Sequence, residues 1–176
     1  MAIDEGEFRR LIETHQRMVF SIALRIAGEY SNAEEIAQDV FLELYRSGER
    51  LTGEDHVRYW LRRAATHKSI DSLRRKALRP EAAAEEWIEE QHGGSEGPEG
   101  SSFGRGVQLE TLLRGLPEAM RVVVVLRYQE EMLPEEIASM LGQSVASVKS
   151  HLRNGLKLLR RKAAVTMKEY IRESIG

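Results

Sequence analysis

The chain has 176 residues, of which 31% are charged, with 26 basic against 28 acidic side chains and a formal net charge of −2. It has no cysteine, which excludes disulfides, thiolate metal sites and cysteine nucleophiles. No apolar run approaches the ~20 residues of a membrane helix, and the acidic start MAIDEGEF lacks the parts of a signal peptide, so a cytoplasmic chain without membrane insertion is expected.

Ala, Leu, Glu and Arg dominate and nothing suggests a sheet, so the composition predicts an all-α protein. Phe8, Leu11, Ile12, His15, Val19, Ile22, Ala23 and Ile26 recur at spacings of three and four, the stripe of a long amphipathic helix. Ser31 and Glu34 have capping-box spacing at the start of a second helix, whose stripe is Ala33, Ile36, Ala37, Val40, Phe41 and Leu44. A polar, glycine-bearing loop follows from Ser47 to Asp55. Val57, Trp60, Leu61 and Ala64 then restart a helical stripe that continues through Ile70, Leu73 and Ala77 to Pro80.

Residues 81–106 are acidic and then Gly/Ser-rich, a composition that buries too little apolar surface to offset ordering entropy, and they are expected to be a flexible linker. Trp87 and Ile88 are its sizeable apolar residues. The division predicts two small helical domains, 1–80 and 107–176. In the second, Leu109, Leu112, Leu113 and Leu116 mark a short helix and Pro117 is placed to start the next. The β-branched run Val122 to Leu126 is read as buried helix, because helices flank it and no hairpin turn signal is present.

The net charge conceals an uneven distribution. Residues 1–80 carry 14 basic and 13 acidic side chains, 81–106 carry 1 and 7, and 107–176 carry 11 and 8. Two segments are strongly basic: 58–79 holds eight Arg/Lys against Asp71 alone, and 149–172 holds eight against Glu169 alone. Two separate basic segments point to nucleic acid.

The second of them closes a recognisable pattern. Pro134 opens a helix with Glu135 and Glu136 in its positive first turn, Ile137, Ala138 and Leu141 supply apolar contacts, and Gly142 ends it. Ser144 is placed to cap a following helix that keeps Val145, Val148, Leu152, Leu156, Leu159 and Ala163 on one face. Its other side carries Ser147, Lys149, Ser150, Arg153, Asn154 and Lys157. A short helix, a Gly turn and an amphipathic helix with a basic outer face form the helix-turn-helix pattern. In the major groove Lys149 and Arg153 would donate to guanine edges, and Asn154 or Ser150 would read bases or phosphates.

The stretch LRGLPEAMRVVVVLRYQEEMLPEEIASMLGQSVASVKSHLRNGLKLLRRK resembles region 4 of sigma factors of the extracytoplasmic-function group. Independently, SNAEEIAQDVFLELYRS followed by VRYWLRRAATHKSIDSLRRK resembles their region 2. Both occur in the family's order and separation, so the resemblance covers nearly the whole chain. It implies an RNA polymerase sigma factor that directs core RNA polymerase to promoter DNA and has no catalytic activity, cofactor or metal.

The resemblance also implies roles for single residues. Glu34, Glu35, Gln38 and Asp39 fall in the polymerase-binding helix, where an acidic face suits a basic coiled coil. Arg62, Arg63, Lys68, Arg74 and Arg75 fall where the family holds the melted minus-ten strand. Thr66, His67, Lys68 and Ser69 would form the base-reading loop, with His67 where many relatives carry Asn. By its spacing Trp60 belongs to the core, and Asp71 is expected to be a salt-bridge partner. The helix from Ser144 to Arg161 corresponds to the minus-thirty-five reader, with Asn154-Gly155 where relatives usually carry Arg and a small residue. The family's linker threads toward the polymerase active site, and family members are commonly held by an anti-sigma factor, often membrane-tethered. Two rival readings remain. A helix-turn-helix regulator would bind DNA without core polymerase. A recombinase or nuclease is disfavoured, because the sequence offers no paired-carboxylate metal site, activated nucleophile or Gly-rich phosphate loop, and no two of the five histidines have metal-ligand spacing.

Overall fold

The computed structural model describes residues 3–47, 51–79 and 109–175, and every regular element among them is helical. The chain separates into two compact units, Met1–Phe103 and Gly104–Gly176. The linker expected at 81–106, with Trp87 and Ile88, lies outside the described residues.

Three helices build the first unit: α1 (Glu5–Ala27), α2 (Tyr30–Ser47) and α3 (Glu54–Ala77). Each packs against the other two. The predicted stripes meet in one core, where Val19, Ile22, Ile26, Val40, Leu44 and Leu61 are fully buried. Each such side chain contributes about 1.5–3 kcal/mol of transfer free energy. Side-chain bonds fasten the far ends of the helices. Asn32 Nδ2 donates to Ser72 Oγ at 2.6 Å, and Lys76 pairs with Glu29.

The start of α2 corrects the expected capping box. The helix begins at Tyr30 and the Ala33 N–H donates to the Glu29 carbonyl at 2.9 Å, so Ser31 lies inside the first turn. The backbone of the preceding link already supplies the acceptor that the serine was expected to provide.

In the second unit residues 109–114 are helical (α4), followed by α5 (Glu118–Val124), a π-helical turn (Val125–Gln129), α6 (Pro134–Leu141) and α7 (Val145–Ile175). Pro117 lies one position earlier than expected, at the N-cap of α5, where its carbonyl accepts the Arg121 N–H at 2.9 Å. The run Val122–Leu126 is buried on all sides, as helix, but its last turn widens. The Glu130 N–H reaches back five residues to the Val125 carbonyl at 3.3 Å. Arg121 is buried beneath this region. Its Nη2 donates to the Arg114 carbonyl at 2.8 Å and the Leu116 carbonyl at 3.1 Å, so the guanidinium closes the C-terminal end of α4.

His15 is buried in the α1 stripe. Burial disfavours its imidazolium and holds its pKa below the ordinary value, with Glu54 opposing the shift and Arg58 adding to it. The unfolded chain therefore binds this proton more tightly than the folded one. The stability it reflects is complete above the ordinary histidine pKa of about 6.5 and is lost as pH falls below it. Urea denaturation between about pH 7.5 and pH 5 is expected to show that decline, and His15→Leu to flatten it. An equally steep decline in the variant would place its source elsewhere.

Candidate nucleic-acid and polymerase interfaces

The second unit shows how a helix-turn-helix is held together. Gly142 ends α6 with φ 63°, a left-handed conformation in which a side chain is strained, and the Gln143 N–H returns to the Ala138 carbonyl at 3.0 Å. Ser144 then caps α7, its Oγ accepting the Ser147 N–H at 3.1 Å. At the other end of α6 the Glu136 carboxylate accepts the Leu133 N–H at 2.7 Å. Ile137, Ala138, Val148 and Leu152 are buried where α6 and α7 meet.

That packing sets the rotation of α7. Lys149, Arg153 and Lys157 recur every fourth residue and are all exposed, with Asn154 exposed and Ser150 half-buried beside them. Ser147 is half-buried at the edge of this face. Gly155 allows the approach of α5: a Cβ there would lie 3.0 Å from Val124 Cγ2 and 3.4 Å from Met120 Cβ. The small residue noted in the Asn154-Gly155 pair thus has a packing reason.

In the first unit, α3 corrects the expected base-reading loop. Residues 66–69 lie in the middle of an unbroken helix. Thr66 and Ser69 are 0% exposed, and Ser69 Oγ donates to the Ala65 carbonyl at 2.7 Å. Both face the bundle, so neither presents an atom to a base. Arg62, one turn before Thr66 on the same side, is half-buried and already has protein partners.

The outward side collects the rest. Arg63, His67, Asp71 and Arg75 follow one another at four-residue steps, with Trp60 and Arg74 alongside. Glu43, Trp60, Arg63, His67, Lys68 and Asp71 border a cleft of about 410 Å³. Trp60 is therefore half-buried at this cleft and is not a closed-core residue, and Asp71 is an exposed member of its wall. Lys68 pairs with Glu43 of α2 at 2.8 Å. His67 Nδ1 lies 2.9 Å from the Arg63 carbonyl. A carbonyl only accepts, so Nδ1 carries the hydrogen and Nε2 is the ring nitrogen left for other partners.

Glu34, Glu35, Gln38 and Asp39 are all exposed on α2. Glu34 and Gln38 stand on the rim of a groove of about 760 Å³ between α1 and α2, whose apolar lining includes Phe8, Phe20, Tyr30 and Leu42. Phe41 also borders it while remaining 92% buried within the core, as its 8% exposure records. Ring pairs brace the groove: Phe8 with Tyr45 at 4.9 Å and Phe20 with Tyr30 at 5.1 Å between centroids. The sequence reading missed this apolar surface. Its signal was Leu42 and Tyr45, large apolar residues three apart and off the core stripe of α2.

Among the described residues no group of His, Asp or Glu is arranged to hold a metal ion, and no helix is long and apolar enough to cross a membrane.

Two family models match the chain, Sigma-70 region 2 over residues 11–79 and Sigma-70, region 4 over residues 106–159. The chain belongs to the sigma-70 family. Among curated relatives it is similar to the extracytoplasmic-function RNA polymerase sigma factor SigW of Bacillus subtilis, 25% identical over 90% of this chain and 89% of the relative. It is also similar to the corresponding SigE of Mycolicibacterium smegmatis, 29% identical over 85% of this chain but 59% of that longer protein. Such relatives place it in the extracytoplasmic-function group, as an RNA polymerase sigma factor. Two solved structures share the fold. CnrH in complex with the cytosolic domain of CnrY has a TM-score of 0.63 at 19% identity, covering 92% of this chain and 90% of that one. The sigma factor RpoE in complex with the anti-sigma factor NepR, from Bartonella quintana, has a TM-score of 0.66 at 14% identity, covering 90% and 97%.

The packing at Gly155 sets a limit on this sigma factor. Gly155→Ala needs a shift of a few tenths of an ångström and is expected to fold, whereas Gly155→Leu drives a branched side chain into Val124 and Met120 and is expected to cost about 1–3 kcal/mol or more in urea denaturation. Equal stability of the two variants would show that α5 and α7 can separate freely.

Proposed function

We propose that this sigma factor docks on core RNA polymerase through the α1/α2 groove, reads promoter DNA with α7 and holds the melted minus-ten strand on the outward face of α3. The observation that carries this reading is the division of surfaces. Two helices, one in each unit, turn basic faces to solvent, while α2 turns an apolar groove with a carboxylate rim to solvent. Apolar area would supply most of the affinity for polymerase, and Glu34, Glu35, Gln38 and Asp39 would orient a basic partner. On α3 the phosphate contacts are Arg63, Arg74 and Arg75, with Lys68 available once it leaves Glu43. On α7, Lys149 and Arg153 would read guanine edges, with Ser147, Ser150, Asn154 and Lys157 on bases or phosphates.

The domain assignment follows: 1–80 as region 2, 81–106 as linker and 107–176 as region 4. The factor acts in the cytoplasm and performs no catalytic step, the chemistry belonging to the polymerase. Both structural neighbours are held by a second protein, in one case an anti-sigma factor by name, and we assign this chain the same form of control.

In vitro transcription with added core polymerase and a promoter library tests the reading, and promoter-specific transcripts that require both proteins are expected. Specific promoter binding without polymerase, and no stimulation by it, would favour a free-standing regulator. Leu42 is 47% exposed, so Leu42→Asp is expected to fold normally yet lose about ten-fold or more in affinity for core polymerase. Charge reversal at Lys149 and Arg153 is expected to abolish upstream-element binding and spare polymerase binding.

A further inference from the structure

The α1/α2 groove carries a pattern of charge that a partner of one sign cannot match. We infer that in the free factor this groove is covered by the same groove of a second copy of the chain, related to the first by a two-fold axis running along it. On the proposed docking such a dimer cannot bind core polymerase; that consequence rests on the docking reading, and the pairing itself does not.

Two ring pairs set the register of the groove's banks. α1 and α2 are joined by Gly28 and Glu29 alone and run antiparallel, with Phe20 beside Tyr30 at 5.1 Å and Phe8 beside Tyr45 at 4.9 Å between centroids. Arg17 lies about one turn before Phe20 and Glu34 about one turn after Tyr30, and both line the groove. In antiparallel helices those steps lead the same way, so Arg17 and Glu34 stand at one level on opposite banks. Both are exposed, and among the described residues neither is taken up by an ion pair.

A half-turn about the length of the groove lays α1 of one copy over α2 of the other. It sets Arg17 against Glu34 of the partner subunit, and two-fold symmetry makes that contact twice. A basic partner would satisfy Glu34 and leave Arg17 against a like charge, and an acidic partner would do the reverse. A second copy satisfies both. The same rotation covers the apolar lining. Tyr30, Leu42 and Tyr45 are 58%, 47% and 46% exposed, and large apolar side chains gathered in this way mark an interaction surface. Two antiparallel helix pairs stacked face to face form the layers of a four-helix bundle, in which the side chains of the banks fill the middle. The contact is small, so its dissociation constant is expected to be on the order of 10 μM.

Sedimentation equilibrium of the full chain from about 1 μM to about 500 μM tests this, and a monomer-dimer equilibrium in that range is expected. Leu42→Asp is expected to give a monomer, with circular dichroism confirming that it is folded. Arg17→Glu and Glu34→Arg each set like charges together at both contacts, and each is expected to weaken the dimer about ten-fold or more. Mixed together, these two single variants meet opposite charges at both contacts. Their mixed dimer is expected to reach within about three-fold of the affinity of the unaltered chain, a rescue that misfolding cannot produce. A monomer at every concentration overturns the inference, whether the groove is bare or covered by another part of the same chain. So does a dimer that Leu42→Asp and both charge reversals leave intact, since it uses another surface, and so does a mixture that fails to associate. Core polymerase binding by Leu42→Asp is read separately. A lost dimer with polymerase binding retained removes the docking reading and upholds this inference, while a retained dimer with polymerase binding lost does the reverse.

Discussion

Leu61, Ala65, Thr66, Ser69 and Ile70 are drawn into the core of the first unit, and their burial fixes the rotation of α3. A helix turns by about 100° per residue, so once those positions face inward the outward sector is determined as well. Trp60, Arg63, His67, Asp71 and Arg75 share that sector for no reason other than their phase relative to the apolar stripe. The same constraint governs α7, where Val148 and Leu152 against α6 leave Lys149, Arg153 and Lys157 outside. In both units the hydrophobic effect selects which charges the partner meets, and the charges themselves add little to folding.

The second unit shows what that rotation demands of single positions. Gly142 permits the reversal between α6 and α7, while Gly155 permits α5 to approach from behind. Arg121 does something different. It is a charged residue committed to backbone carbonyls at the end of α4, and so it is lost to any surface despite lying in a DNA-binding unit. Cation counts along a sequence overstate the cations available to a phosphate by residues of this kind.

Legibility followed the range of the interactions. The stripes of α1 and α2, the Gly142 turn and the Ser144 cap depend on neighbours within a few positions, and the sequence displayed them. The base-reading loop at 66–69 was an expectation carried by the family resemblance, whereas Thr66 and Ser69 are polar residues that α3 holds inside the core. Ser69 satisfies its hydroxyl on its own helix, a bond invisible to a pattern of apolar spacing. Arg62 and Arg63 are adjacent in sequence yet nearly a third of a turn apart, and charge counting treats them as equal. Trp60 and the α1/α2 groove were hidden for another reason. Whether an aromatic residue is enclosed or borders an opening depends on what the neighbouring helices leave uncovered, which no single helix encodes.

The ion pair between Lys68 and Glu43 also alters how binding responds to salt. Protein cations that neutralise phosphates release condensed counterions, and each such contact steepens the fall of affinity with ionic strength. Lys68 enters with its counterion built into the fold. If α3 takes a strand as proposed, Lys68 must break this pair before it meets a phosphate, so the contact adds less to affinity than an unpaired lysine would. Salt screens both the pair that is broken and the contact that is made, so the exchange responds less to ionic strength than a new contact from a free cation.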